Sequence, residues 1–389
     1  MTEDWRAVGS GVSAWFEASS LTAGAALVEQ VAELTDDGEL PDLELRANGV
    51  RVRIGTGDLT FARAVSVAAQ ELGLVADPAA LQTVRLAIDA ADRTAVKSFW
   101  QTALGYEPVG DHKLGDPLRR DPSISFHRQD PARSLRNRMH VDIVRVPEAV
   151  EVAIAAVGQE PYGAYELTLA DPDGNEIDLV PGGELSKETA DWQTLFGAMT
   201  FYPTTSPMQA SDLATTVAGL ADDAGLPLLV DLRAEGVAID TGKDLWENDE
   251  GAAEPRFVDL AGRIETAAYD LGLTADPARL RFVQFAIDAV EIESVRAFWT
   301  TVLGYEHDPR PHLSDIYDPR RLNPVLMFQP LDAADEERRR QRDRVHLELL
   351  VPADQVQARI DTALAAGGSI VAGQTLADPE GNELTLVQI

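Results

Sequence analysis

Three pairs of titratable side chains stand two residues apart in this sequence: His140 with Asp142, His346 with Glu348, and Glu176 with Asp178. Along an extended strand, side chains two apart share one face. Each pair therefore predicts an imidazole beside a carboxylate, or two carboxylates, on a single surface. A histidine in that setting could act as acid, base or ligand anchor, with its pKa raised by the acidic neighbours. The alternative is a histidine that ties adjacent strands together through hydrogen bonds to those carboxylates. His140 and His346 are the candidate catalytic residues on this reading.

The rest of the inventory narrows the chemistry. The six histidines are 112, 127, 140, 307, 312 and 346, and none falls within 1–111 or 141–306. Cysteine is absent, which excludes disulfides, thiolate metal sites and cysteine nucleophiles. There is no phosphate-cradling glycine loop, no His-Glu-x-x-His helix and no nucleophile elbow. A formal net charge of −32 argues against nucleic acid or anionic lipid as partners. Apolar runs are too short and too often broken by charge to span a bilayer. The opening Met1-Thr2-Glu3-Asp4-Trp5 is acidic where a secretory signal needs basic residues. A cytoplasmic home is expected.

The sequence repeats itself. Val84-Arg-Leu-Ala-Ile-Asp-Ala-Ala-Asp92 returns as Val283-Gln-Phe-Ala-Ile-Asp-Ala-Val-Glu291. Phe99-Trp100 and Leu104-Gly105-Tyr106 return at the same offset as Phe298-Trp299 and Leu303-Gly304-Tyr305. Further on, Arg138-Met139-His140 matches Arg344-Val345-His346, and Asp171-Pro-Asp-Gly-Asn-Glu176 matches Asp378-Pro-Glu-Gly-Asn-Glu383. Upstream, Asp4-Trp5 pairs with Asp191-Trp192. The period is far longer than a solenoid's, so whole domains are duplicated.

Each unit opens on a short strand. In the first unit, Leu21 to Leu34 carries apolar residues at helical spacing, with Thr22 as a possible cap. Leu43 to Ile54 reads as a hairpin turning around Asn48-Gly49, and a second helix spans about Thr60 to Leu72. The second half begins with the strand Val84 to Ile88. An amphipathic helix follows, burying Val96, Phe99, Trp100, Ala103 and Leu104 and ending at Gly105. Phe99-Trp100 and Phe298-Trp299 are expected to be packing residues. Arg136 to Arg138 and Arg338 to Arg342 are basic islands, expected to form intramolecular salt bridges.

The second half of each unit resembles the vicinal-oxygen-chelate superfamily in its glyoxalase-like branch. The carriers are Ile88-Asp89, Phe99-Trp100, Leu104-Gly105-Tyr106, Arg136 to Asp142, and Asp171 to Glu176. The resemblance implies a cup with four ligands, one each from the first, fourth, fifth and eighth strands. Carried over within each copy, the first cup would hold Arg85, Ser125, His140 and Asp178, and the second Gln284, Met327, His346 and Thr385. His127 shares a strand face with Ser125, as Gln329 does with Met327. Asp142, Glu176, Glu348 and Glu383 complete the candidate ligand-binding set. Divalent ions prefer several anionic or imidazole donors. A guanidinium at one ligand position and a thioether at another therefore predict no catalytic metal and no other cofactor.

The first half of each unit resembles a pterin-4a-carbinolamine dehydratase module. Such dehydratases depend on histidines around the pterin, including a His-His-Pro stretch. Glu39-Leu40-Pro41 and Leu226-Pro227 stand there instead, so both modules are expected to be scaffolds.

The expected fold is α+β: two glyoxalase-like (paired βαβββ) domains at 80–183 and 279–389, with dehydratase-like modules at 1–75 and 186–275. Packing of copy one against copy two is plausible, as is a homodimer. The expected function is metal-free binding of a small organic ligand, of the glyoxalase/bleomycin-resistance type. The alternatives are a divalent-metal-dependent lyase, isomerase or dioxygenase, and a structural or interaction protein with vestigial sites.

Overall fold

The computed structural model describes residues 3–8, 11–35, 38–55, 57–129, 133–248 and 250–388. Met1 and Thr2 of the acidic opening lie outside them. The residues gather into two units rather than four serial bodies. One comprises Met1–Leu81, Arg145–Pro147 and Pro181–Phe282, and the other Gln82–Val144, Glu148–Val180 and Val283–Ile389. Like halves of the duplication are therefore together: both small modules in the first unit, both chelate-type halves in the second. Among the described residues no helix is long and apolar enough to cross a membrane.

In the second unit, eight strands matter for the site. Copy one supplies β1 (Thr83–Ala90), β2 (Ile124–Arg128), β3 (Met139–Arg145) and β4 (Glu176–Pro181). Copy two supplies β5 (Phe282–Ala289), β6 (Val325–Pro330), β7 (Val345–Val351) and β8 (Glu383–Gln388). Their alternation is strict. Val84, Leu86, Val345, Leu347, Ile177 and Phe285 are buried in one apolar core, while the intervening positions carry the polar candidates. A strand with one apolar and one polar face must hide the first against something. Here the two copies hide it together: one core draws on Ile88, Trp100 and Ile143 of copy one and on Ile287, Trp299 and Leu349 of copy two.

The sheets are shared as well. One runs β4-β3-β5-β6 through its centre and the other β8-β7-β1-β2, so each joins half of copy one to half of copy two. The β1–β7 junction is antiparallel, with His346 opposite Ala87 and Glu348 opposite Arg85. Strands β1 and β2, β5 and β6, and β7 and β8 are parallel pairs. Helices α1 (Arg93–Leu104) and α2 (Ile292–Leu303) cover the core. In α1, Asp92 accepts from the Thr94 and Ala95 amides, and the helix stops on Gly105 in the left-handed region at φ 66°, where glycine carries no Cβ penalty. Phe99 and Trp100 pack as expected, and Trp100 Nε1 donates to Asp171 at 2.8 Å. Trp299 repeats this with Asp378 at 2.9 Å.

The Asp-Pro-x-Gly-Asn turns are then clasped across copies. Arg344 of copy two donates to Asn175 Oδ1 at 2.8 Å and to the Gly174 carbonyl at 3.1 Å. Arg138 of copy one donates to Asn382 Oδ1 at 2.9 Å and to the Gly381 carbonyl at 3.3 Å. Both arginines are fully buried. These two arginines of the basic islands thus serve mainly as hydrogen-bond clasps onto turns and carbonyls, and the surrounding ones form ion pairs, Arg338 with Asp288 and Arg340 with Glu336 among them.

In the first unit, the copies also share a sheet, meeting where Asp42–Arg46 pairs antiparallel with Leu229–Arg233. Leu43, Leu45, Val230 and Leu232 face the core under helices Leu21–Thr35 and Pro207–Ala224. The opposite face holds buried ion pairs, Arg46–Asp231 at 2.8 Å and Arg233–Glu44 at 2.6 Å. Two local expectations are corrected. The Leu21–Thr35 helix is capped by Ser20 Oγ and by Asp222 of the other copy, which accepts from the Leu21 and Thr22 amides, rather than by Thr22. A carboxylate with two free oxygens satisfies more of the helix's orphan N–H groups than one hydroxyl can. The hairpin turns at Ala47-Asn48, with Arg46 opposite Gly49. Gly49 lacks a positive φ and serves close approach instead, because a Cβ there would meet Trp15 Cζ2 at 2.4 Å and the Phe16 carbonyl at 2.5 Å. Gly49→Ala is expected to destabilise the protein by about 1–3 kcal/mol through overpacking, measured by urea unfolding. An unchanged midpoint would show that Trp15 can move aside.

Candidate functional site

On each sheet the polar candidates of four neighbouring strands form one group, called a cup after the superfamily resemblance. Cup one is lined by His140 and Asp142 on β3, Glu176 and Asp178 on β4, Gln284 on β5, and Met327 and Gln329 on β6. Cup two is lined by Arg85 on β1, Ser125 and His127 on β2, His346 and Glu348 on β7, and Glu383 and Thr385 on β8. This overturns the within-copy grouping of the candidates. Arg85 and Ser125 do not stand with His140 and Asp178, and Gln284 and Met327 do not stand with His346 and Thr385. The reason is the pairing of β1 with β7 and of β3 with β5, which gives each half-sheet a neighbour from the other copy. The paired strand faces do hold: His140 with Asp142, His346 with Glu348.

In cup one, one ligand atom each from His140, Asp142 and Asp178 lies within 4.8 Å of the other two. Gln284, only 1% exposed, donates from Nε2 to Asp142 Oδ2 at 2.7 Å, and its own Oε1 is buried without a hydrogen-bond partner. His140 Nε2 lies 3.4 Å from Asp142 Oδ1. Met327 Sδ stands 3.8 Å from Gln284 Nε2. At the rim, Arg136 donates to Glu176 at 2.6 Å and Tyr162 Oη donates to its other oxygen at 3.0 Å. Partial burial and the Glu176 charge push the Tyr162 hydroxyl up to about 12.

In cup two, Glu348 is the hub. Arg85 Nε donates to its Oε2, Ser125 Oγ donates to the same oxygen at 3.0 Å, and His127 Nε2 lies 3.0 Å from Oε1. Burial alone would raise the Glu348 carboxyl, but the His127 hydrogen bond and the Arg85 guanidinium hold it down at about 2. The His127 ring stacks on His346, with centroids 6.1 Å apart and planes 28° apart. For His346 the expected upward shift is reversed: burial lowers its pKa, outweighing Asp89, Glu348 and Glu383, which act to raise it. Thr385, where cup one has Asp178, shares a 3.0 Å hydrogen bond with Thr375. Arg342 clamps Glu383 at the rim at 2.5 Å, as Arg136 clamps Glu176.

Residues 85–180 and 284–387 both match the family model of the glyoxalase-like domain, together just over half of the chain. The chain belongs to that family. Each glyoxalase-like domain contributes strands to both cups, so neither has a complete cup of its own. No curated protein matches the chain in sequence. Among solved structures it is similar to two variants of glyoxalase I from Zea mays, at 10% identity each. They align over 79% of this chain and 94% and 93% of theirs, with TM-scores of 0.37 and 0.36.

The glyoxalase-like cups differ as hosts for a divalent ion. Cup one offers one imidazole nitrogen, two carboxylates and a buried amide oxygen without a partner, a donor set that suits a divalent cation. Cup two does not fit, because Arg85 engages Glu348 and a hydroxyl replaces the second carboxylate. The objection to a metal drawn from the sequence rested on Arg85 and Met327. Arg85 belongs to cup two, whereas the Met327 thioether stays in cup one beside Gln284. The rim clamps of Arg136 and Arg342 and the Arg338–Asp288 pair are intramolecular salt bridges of the two basic islands, as expected. The Arg133–Asp89 pair lies outside those islands and was passed over. Arg136 and Arg342 occupy matching positions, each two residues before the buried arginine of its own copy.

Proposed function

We propose that the chain is a small-molecule-binding protein of the glyoxalase-like family with two unlike cups, the first built around a divalent cation and the second metal-free. The observation that carries the reading is the exchange at one strand position: Gln284 in cup one, Arg85 in cup two. His140, Asp178, Asp142 and the Gln284 amide oxygen are the residues that would hold the cation. A bound divalent ion would supply Lewis-acid polarisation of a ligand oxygen. Gln284 Nε2 fixes one Asp142 oxygen, and His140 stands beside the other. That leaves the Asp178 carboxylate, which accepts no side-chain hydrogen bond from a described residue, able to turn toward a ligand.

The donor set of cup one also favours a second reading, a metal-dependent lyase, isomerase or dioxygenase. A proton acceptor would be at hand in Asp142, since a base must lie within hydrogen-bond reach of the proton it takes. The small modules of the first unit serve as scaffold in both readings, there being no histidine in them.

Thermal shift with divalent cations tests the proposal. A ligand that binds only the folded state adds stability by mass action, about 2.7 kcal/mol at a hundredfold excess over Kd. Manganese, zinc or nickel should raise the midpoint of the wild type and of His346→Ala, but not of Asp178→Asn. No rise with any of them, or an equal rise in Asp178→Asn, would refute cation binding in cup one.

A further inference from the structure

Cup two holds a cation of its own, and that cation is only partly used. The Arg85 side chain is 12% exposed and donates from Nε to Glu348. A guanidinium carries five N–H donors in a planar fork. The four on the terminal nitrogens donate to no described residue, and neither nitrogen is sealed from solvent. Glu348 meanwhile accepts from Ser125 and is bonded to His127 as well, so it does not depend on Arg85 alone. His127 is 46% exposed and presents an imidazole beside the fork, backed by the buried His346. The carboxylates around the cup each have a guanidinium: Glu348 has Arg85, Glu383 has Arg342 and Asp89 has Arg133. On a chain of charge −32 this neutralisation is local and specific, since surface charge elsewhere would repel an anion.

We propose that cup two binds a small oxyanion ligand, a carboxylate or phosphate on a flat body, with its oxygens on the Arg85 terminal nitrogens and its body against His127. Planar bidentate recognition of such groups is what the guanidinium fork does best. The proposal rests on the cups being ligand sites and adds the sign of the ligand charge: cup one takes a cation and cup two an anion. Gln284 at the position of Arg85 denies cup one the same fork.

The test is isothermal titration of the full chain with benzoate and with phenyl phosphate, using benzamide as the neutral analogue. One saturable site is expected for at least one acid, and the tighter of the two identifies the headgroup. Arg85→Gln should weaken it on the order of tenfold or more, as loss of a charged hydrogen bond does. Arg85→Lys should restore part of the affinity, and Arg340→Gln, which removes an exposed arginine, should leave it unchanged. Circular dichroism and the unfolding midpoint of each variant guard against misfolding. Benzamide binding as tightly as benzoate, with loss in His127→Ala, would overturn the anion proposal while keeping cup two as a ligand site. Absence of binding by either acid, or equal binding by Arg85→Gln, would overturn it outright, whatever cup one does with cations.

Discussion

Arg344→Ala should cost about 3–5 kcal/mol of stability, the largest loss expected from any single substitution away from the cups. The guanidinium of Arg344 is fully buried and donates to four acceptors of the other copy. These are Asn175 Oδ1, the Gly174 carbonyl, and the carbonyls of Arg133 and Leu135 at 2.6 and 2.9 Å. Truncation empties a fully buried side-chain volume and takes its donor from the Gly174 carbonyl, while Asn175, Arg133 and Leu135 keep Asn137, Gln129 and Gln341 as donors. An unsatisfied group costs about 1–3 kcal/mol, and the lost bonds and packing add to it. Arg138→Ala should behave alike, because Arg138 donates to the carbonyls of Arg338, Arg339 and Gln341 as well as to Asn382. Urea unfolding followed by circular dichroism measures both. A loss below about 1 kcal/mol in either variant would mean that the copies are held by their apolar core and not by the clasps.

The second large effect is pH-dependent. The Glu348 carboxyl falls from an ordinary value of 4.5 to about 2 in the folded protein. A group whose folded pKa is depressed lends stability above its unfolded pKa and loses it as pH falls through the folded one. Wild-type stability should therefore drop between about pH 4.5 and pH 2 by about 2–3 kcal/mol from this group, allowing for solvent screening. Glu348→Gln removes that component and leaves Arg85 without its anion. The variant should be less stable than wild type at pH 7, and the gap should close as the pH approaches 2. A gap that stays constant across this range would show that Glu348 contributes through packing alone.

Much of this architecture was legible in the residues. The constant offset of Trp100 and Trp299, Gly105 and Gly304, announced the duplication, and the period-2 alternation put His140 with Asp142 on one strand face, where they lie 3.4 Å apart. What could not be read was which strand lies beside which. Alternation tells a strand which way to face, but the choice of neighbour is made by the core, where Leu86 and Leu347 must be buried together. That choice moved Arg85 from the His140 cup to the His346 cup, and with it the guanidinium's part of the case against a bound cation, leaving the Met327 thioether in the His140 cup. The His346 pKa went the other way from the expectation because burial counts for more than three carboxylates already engaged or held at a distance. Gly49 announced a turn by its Asn-Gly context, although it is the indole of Trp15 that requires it.

Crystals of the full chain soaked in manganese and measured at a wavelength where manganese scatters anomalously give the most direct view of the division between the cups. One anomalous peak per chain is expected, bonded to His140, Asp178 and at least one of Asp142 and Gln284. A peak beside His346 and Glu348, or none in cup one at saturating manganese, would contradict the assignment of the cation to the cup that has Gln284 where the other has Arg85.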